Sequence, residues 1–191
     1  MKKLLELIKP LLLIIFGALM FLIYLDQIDP QADAKYLMIG IFGTVFAVYY
    51  ITIGVINVTI GNRLEKNAKN VFDMLNVGLF AFLFLYETIV NITDYVDGMS
   101  GSGWIINIGS ILAALCLIVF TILSKTSNKE ALDRVALLFA ALFATAMLLR
   151  IIFTPVGGSM PLLGMTLTSV ALYTMFVFVL FGALKPANLE E

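Results

Sequence analysis

The sequence predicts an all-α, polytopic membrane protein: a single transmembrane domain, residues 1–191, built as a bundle of six helices. Two observations lead to this fold class. Of the 191 residues, 61% are hydrophobic and only 13% are charged, whereas soluble domains average about 45–50% and 25%. The charges also fall in short groups that separate six apolar runs, each of which we interpret as a membrane crossing.

The residues that flank the apolar runs bound each helix in turn. In chain order the bounding pairs are Lys9 and Asp26, Lys35 and Arg63, Lys69 and Asp94, Trp104 and Ser124, Arg134 and Arg150, and Pro161 and Leu184. We therefore place the helices near residues 8–28, 36–61, 71–93, 104–124, 131–153 and 161–184. Odd-numbered crossings are expected to stop early, at a charged residue.

Charge asymmetry predicts the orientation. Lysine and arginine precede helix 1 and follow helices 2, 4 and 6, whereas the opposite loops carry aspartates and a single lysine, Lys35. The positive-inside rule then places both termini in the cytoplasm of a multi-pass protein, which we expect in a bacterial plasma membrane. The first 23 residues also resemble a signal peptide, with Ala32-Asp-Ala34 as the cleavage site, but the long polar gap before Ala34 disfavours cleavage.

An internal period near 62 residues relates three helical hairpins, near 8–61, 71–124 and 131–184. Asp26, Glu87 and Arg150 follow similar apolar segments at spacings of 61 and 63 residues (87 − 26 and 150 − 87). We predict three copies of one hairpin. The alternative is that helices of uniform length produce the even spacing without a common origin.

The three-hairpin layout and the length are similar to those of the HdeD-like bacterial membrane proteins, a family associated with acid stress. Pro30 and Pro155, which follow helices 1 and 5, belong to that layout. The resemblance is one of architecture, carried by no motif, and it implies a role in envelope stress.

The charges Asp26, Glu87 and Arg150 are expected at a common depth near the outer edge of the hydrocarbon layer. We predict that Arg150 faces inward and pairs with Glu87, Asp26 or both, forming an ion-pair or ligand-binding cluster that opens outward. Tyr24 and Tyr86 stand beside these charges and would line its floor. The alternative is that the charged side chains extend to the headgroups and only set the depth of their helices.

Other polar positions allow two interpretations each. Tyr50 and Asn57 on helix 2, and Ser169 and Tyr173 on helix 6, either pack helices together or line a solute path. Asp73 fits a capping box that begins at Asn70, with a proton or cation relay as the alternative.

The residues absent from the chain narrow its chemistry. There is no histidine and only one cysteine, Cys116, which removes His-based acid–base catalysis and intrachain disulfides. We expect no catalytic residue, no metal and no cofactor, with a lipid-modifying enzyme as the weakest hypothesis. The net charge of −1 and the lack of a basic run argue against a nucleic-acid partner.

Two functions remain. The favoured one is a small membrane protein that binds or passes a small polar or charged solute through an outward-facing site, alone or as one component of a larger transport system. The alternative is a non-catalytic accessory or structural subunit of a membrane complex, or an envelope-stress protein. The expected partners are the lipid bilayer and either membrane-protein subunits or further copies of this chain.

Overall fold

The computed structural model describes residues 2–60, 64–127 and 130–153, together with 173, 174, 176, 177, 179 and 180. These ranges contain five α-helices: α1 (Lys2–Leu25), α2 (Ala34–Ile60), α3 (Lys66–Tyr95), α4 (Gly101–Thr126) and α5 (Glu130–Phe153). A short 3-10 turn, Val96–Gly98, joins α3 to α4. The predicted all-helical fold is confirmed for the described residues, and helix ends differ from prediction by up to six residues.

Four of the helices are long and apolar enough to cross a membrane: α2, α3 over Lys66–Asp94, α4, and α5 over Ala131–Leu149. The 27 residues of α2 rise about 40 Å at 1.5 Å per residue, which exceeds the roughly 30 Å hydrocarbon layer. The apolar part of α1, Pro10–Leu25, is shorter. By the length and composition of these helices, the chain is an integral membrane protein.

The sixth predicted helix, 161–184, falls mostly outside the described residues, so the six-helix count and the three-hairpin repeat stay predictions. The described residues between 173 and 180 are helical. Phe176, Val179 and Leu180 are all buried in the core.

Glycines bring α1 and α2 into close contact. A Cβ added at Gly17 would lie 2.8 Å from the carbonyl oxygen of Ala47, and one added at Gly54 would lie 3.0 Å from that of Pro10. Real Cβ atoms rarely approach a backbone oxygen so closely. Small residues therefore let these two backbones meet, as is common between helices in lipid.

The middle of the bundle is filled by an aromatic layer, which consists of Phe16, Phe80, Phe143 and Phe176. The ring centroids of Phe80 and Phe176 are 4.0 Å apart, those of Phe16 and Phe80 are 5.4 Å apart, and those of Phe143 and Phe176 are 5.8 Å apart. All four side chains are buried. Phe80 joins α3 to α1 through Phe16, and Phe84, one turn further along α3, contacts Phe143 of α5 at 4.9 Å between ring centroids.

Helix α3 carries an aspartate near each end, and each is paired with a lysine from an adjacent helix. Lys125 in the last turn of α4 lies 3.2 Å from Asp73, and Lys35 in the first turn of α2 contacts Asp94. The 21 residues from Asp73 to Asp94 (94 − 73) rise about 32 Å. The two ion pairs thus bracket a segment that matches the thickness of the hydrocarbon layer, and they define what we call the Asp73 end and the Asp94 end of the bundle.

The capping-box interpretation of Asp73 is wrong. Helix α3 begins at Lys66, after Glu65 as the N-cap residue, so Asn70 and Asp73 both lie inside the helix. Lys66, Lys69 and Asn70 are compatible with helical structure, and the helix therefore extends into the polar region before its apolar part begins. The carboxylate of Asp73 is stabilised by Lys125 of α4.

We expect Lys125→Met to lower the free energy of unfolding by about 1 kcal/mol or more, because it leaves the half-buried carboxylate of Asp73 without its ammonium partner. Lys69→Met is the matched control, since Lys69 is exposed on α3 and a surface substitution should change stability by about 0.5 kcal/mol or less. Unfolding in mixed detergent–SDS micelles, followed by circular dichroism, measures both. Equal losses in the two variants would show that the ion pair contributes nothing.

Candidate functional site

A polar cleft opens at the Asp94 end of the bundle, between the α1–α2 turn, the first turns of α2 and the last turns of α3. Its volume is about 280 Å³, and it is lined by Gln27, Tyr36, Ile39, Glu87, Val90, Asn91 and Asp94. Five of these seven residues are polar or charged. This volume is slightly below the range of about 300–1,000 Å³ that is typical of ligand sites.

A larger hollow of about 500 Å³ lies between α3 and α4, but its lining is apolar apart from Thr126. It offers almost no polar group that could orient a solute. Exposed Val71, Leu75 and Phe82 line it, as expected of a face covered by acyl chains. The smaller polar cleft is therefore the better candidate site.

The cleft face of α3 is a polar stripe. Glu87, Asn91 and Asp94 are spaced by four and three residues, which places them on one side of the helix. Glu87 lies seven residues before Asp94, about 10 Å further from the Asp94 end. It is the deepest of the α3 residues that line the cleft.

Glu87 is held by a buried tyrosine from α1. The hydroxyl of Tyr24 donates a hydrogen bond of 2.6 Å to Oε1 of Glu87. The ring of Tyr24 lies directly over Gly43 of α2, where a Cβ would overlap its atoms. Glycine at position 43 therefore lets the ring lie against the α2 backbone and aim its hydroxyl at α3.

Asp94, at the mouth of the cleft, has both carboxylate oxygens engaged. The ammonium of Lys35 contacts Oδ1, and the hydroxyl of Tyr36 donates to Oδ2. The same ammonium lies 5.2 Å from the centroid of the Tyr36 ring, within the range of a cation–π interaction. Among the described side chains, by contrast, Glu87 has one bonded oxygen and no basic partner.

The predicted cluster of Asp26, Glu87, Arg150, Tyr24 and Tyr86 is brought together only in part. Tyr24 contacts Glu87, as described above. Asp26 is exposed in the turn after α1, and none of the described contacts links it to Glu87. Tyr86 is half-buried on another face of α3: its hydroxyl donates to the Lys35 carbonyl oxygen at 3.4 Å. The Arg150 side chain lies outside the described part of the chain, so its pairing stays a prediction.

The expectation that odd-numbered crossings stop early at a charge holds for α1 and fails for α3 and α5. Helix α1 ends at Leu25, directly before Asp26, whereas α3 continues eight residues past Glu87 to Tyr95 and α5 continues three residues past Arg150 to Phe153. The contact between Tyr24 and Glu87 brings the end of α1 to the depth of Glu87. From Glu87 to the Asp94 end, α3 has no residue of α1 beside it. The cleft lies in the space that a longer α1 would fill.

Of the polar residues predicted on helices 2 and 6, the described ones (Tyr50, Asn57 and Tyr173) are not among the residues that line the cleft. Tyr50 is buried and its hydroxyl donates to the Asn76 carbonyl oxygen of α3 at 2.6 Å, which is a helix-packing contact. Asn57 is half-buried on α2. Tyr173 packs against the core, and Ser169 lies outside the described residues.

Sequence reasoning missed the four other polar residues of the cleft, Gln27, Tyr36, Asn91 and Asp94, and its two apolar ones, Ile39 and Val90. One signal could have found three residues of its lining, because the spacing of Glu87, Asn91 and Asp94 is that of a helix face. A second signal was Lys35, the one lysine in the loops predicted to lie outside. Its isolation there is consistent with a specific anionic partner.

The hydrogen bond from Tyr24 to Glu87 can be measured by a double-mutant cycle. We expect Tyr24→Phe and Glu87→Ala each to destabilise the protein, with a coupling free energy of about 1 kcal/mol or more, because the bond is charge-assisted and its donor is buried. The matched control is a cycle of Tyr36→Phe with Glu87→Ala, since Tyr36 lines the same cleft but bonds Asp94. Additive effects for Tyr24 and Glu87 would contradict the bond.

No family model, curated protein or solved structure matches the sequence. The similarity in hairpin layout to the HdeD-like proteins therefore gains no support.

Proposed function

We propose that this protein binds a small polar or charged solute in the cleft at the Asp94 end, and that the cleft opens to the outside of the cell. The observation that carries this proposal is the placement of Glu87. A half-buried carboxylate lies deep in a polar cavity, and a buried tyrosine from another helix orients it. A carboxylate at membrane depth costs a few kcal/mol unless water, a partner or a ligand stabilises it.

The surroundings of Glu87 support binding more than free passage. Toward the Asp73 end the aromatic layer fills the core, and its rings are packed at centroid distances down to 4.0 Å. Along α3 the lining of the cleft reaches no deeper than Glu87, and the aromatic layer lies between Glu87 and the Asp73 end. A solute could cross only if these rings separated, so we propose that the chain presents or captures the solute, and that any transport step involves further subunits.

The proposed orientation follows from the charges. Basic residues gather at the Asp73 end, where Lys66 and Lys69 lie in the first turns of α3 and Lys125 lies in the last turn of α4, and the positive-inside rule assigns that end to the cytoplasm. Lys35 does not weaken this argument, because its charge is paired with Asp94.

The outward opening predicts selective labelling of a cleft cysteine. In a Cys116→Ser background, Asn91→Cys should react with a membrane-impermeant maleimide applied to intact cells, because the half-buried Asn91 lines a water-accessible cavity. Ile89→Cys is the control: it lies on the exposed apolar face of α3, where lipid suppresses formation of the reactive thiolate. Labelling of Asn91→Cys only after the membrane is permeabilised would reverse the orientation.

Solute binding itself is tested with the purified full chain in detergent. We expect its melting temperature to rise with one class among cationic, zwitterionic, anionic and neutral small solutes. Asn91→Trp, which fills the cleft, should abolish that rise, whereas Ile89→Trp, two residues along the same helix, should retain it. The absence of any stabilising class, or equal stabilisation of the Asn91→Trp variant, would contradict solute binding in the cleft.

An accessory role remains the second candidate, and the small volume of the cleft together with the filled core favours it over a transporter that works alone. Such a subunit would co-purify from native membranes with a stoichiometric protein partner. It would also show no solute-dependent stabilisation in the measurement just described.

A further inference from the structure

We propose that the solute is a small organic cation that carries an ammonium group, and that this group binds Glu87. This inference rests on the proposed function and names the class of solute for the same cleft. It starts from an ammonium that the protein already holds at the cleft mouth, that of Lys35.

Lys35 shows how this cleft recognises an ammonium. Its Nζ contacts a carboxylate oxygen of Asp94 and lies 5.2 Å from the centroid of the Tyr36 ring. The tyrosine hydroxyl donates to the other carboxylate oxygen. A carboxylate, a phenol that orients it and an aromatic face are together an ammonium site, here occupied by a side chain of the same protein.

A carboxylate that accepts a hydrogen bond from a tyrosine recurs about two helical turns deeper in the cleft. Glu87 supplies the carboxylate, and the hydroxyl of Tyr24 donates to Oε1 at 2.6 Å. Oε2 accepts no hydrogen bond from the described side chains, and Glu87 lines a cavity whose lining also includes Gln27 and Asn91. Their side-chain carbonyl oxygens are further acceptors for N–H groups.

The charge of the lining selects against other solutes. Glu87 and Asp94 are the charged lining residues, and Lys35 compensates one of them. The net negative charge of the lining would repel an anion. It would also repel the carboxylate of a large zwitterion. A metal ion is disfavoured because no three acidic or sulfur ligands cluster within the described part of the chain, whereas hard cations prefer six or more oxygens.

The probes are methylammonium chloride and ethanolamine hydrochloride, compared with sodium chloride, sodium acetate and glycine at equal ionic strength. Binding to the purified full chain in detergent is followed by melting temperature and by calorimetric titration. We expect both ammonium probes to bind and stabilise the protein, and Glu87→Gln to weaken their affinity about tenfold or more through loss of the charge-assisted hydrogen bond. Asp97→Asn, which removes the same charge from the exposed Val96–Gly98 turn, should leave the affinity unchanged.

If Glu87→Gln fails to fold, Asn91→Trp tests the same point, because it blocks the cleft and leaves Glu87 in place. Ammonium binding that survives Glu87→Gln or Asn91→Trp would overturn the proposal. If acetate or glycine bound in the cleft and the ammonium probes did not, the proposed solute class would be wrong and the proposed function would stand. Failure of every solute would contradict both. The proposal would also be overturned if the Arg150→Gln variant bound ammonium and the wild type did not. That result would show that the Arg150 guanidinium pairs with Glu87 in the wild type, as the sequence predicts.

Discussion

The carboxylates near both ends of α3 require cations, and they obtain them from two different helices. Lys35 of α2 contacts Asp94 and Lys125 of α4 contacts Asp73, about 32 Å apart along α3. An unpaired charge is unfavourable where it is partly withdrawn from water beside the hydrocarbon layer. Pairing therefore fixes the positions of α2 and α4 along the axis of α3, and α1 is held in turn by its close glycine contacts with α2.

The cleft results from the unequal lengths of the helices held in this way. Helix α1 ends at Leu25, at the depth of Glu87, whereas α2 and α3 continue past that depth to the level of the Lys35–Asp94 pair. The last turns of α3 lose one neighbour and expose a face of Glu87, Asn91 and Asp94. The turn after α1 crosses this gap and contributes Gln27 to the lining. The cleft therefore forms where the sixteen-residue apolar segment of α1, Pro10–Leu25, ends before the neighbouring helices do.

The helices could be predicted because charges and apolar runs report directly on the thickness of the bilayer. Their ends could not, since lysine and asparagine are tolerated in a helix that leaves the membrane, as at the start of α3 from Lys66 to Asn70. The sequence pointed to Glu87 and to Tyr24 beside it. It did not reveal that Tyr36 and Lys35 meet Asp94, because that contact depends on the register of α2 against α3. Register is a property of tertiary packing, whereas periodicity describes each helix alone.

The ring of Tyr24 over Gly43 restricts which residue position 43 can hold. The ring fills the space that a side chain at position 43 would need, so even an alanine there would push the ring away from the α2 backbone. The Tyr24 hydroxyl would then move away from Oε1 of Glu87. The orientation of a carboxylate on α3 therefore depends on the absence of a side chain on α2, at a residue that does not itself line the cleft.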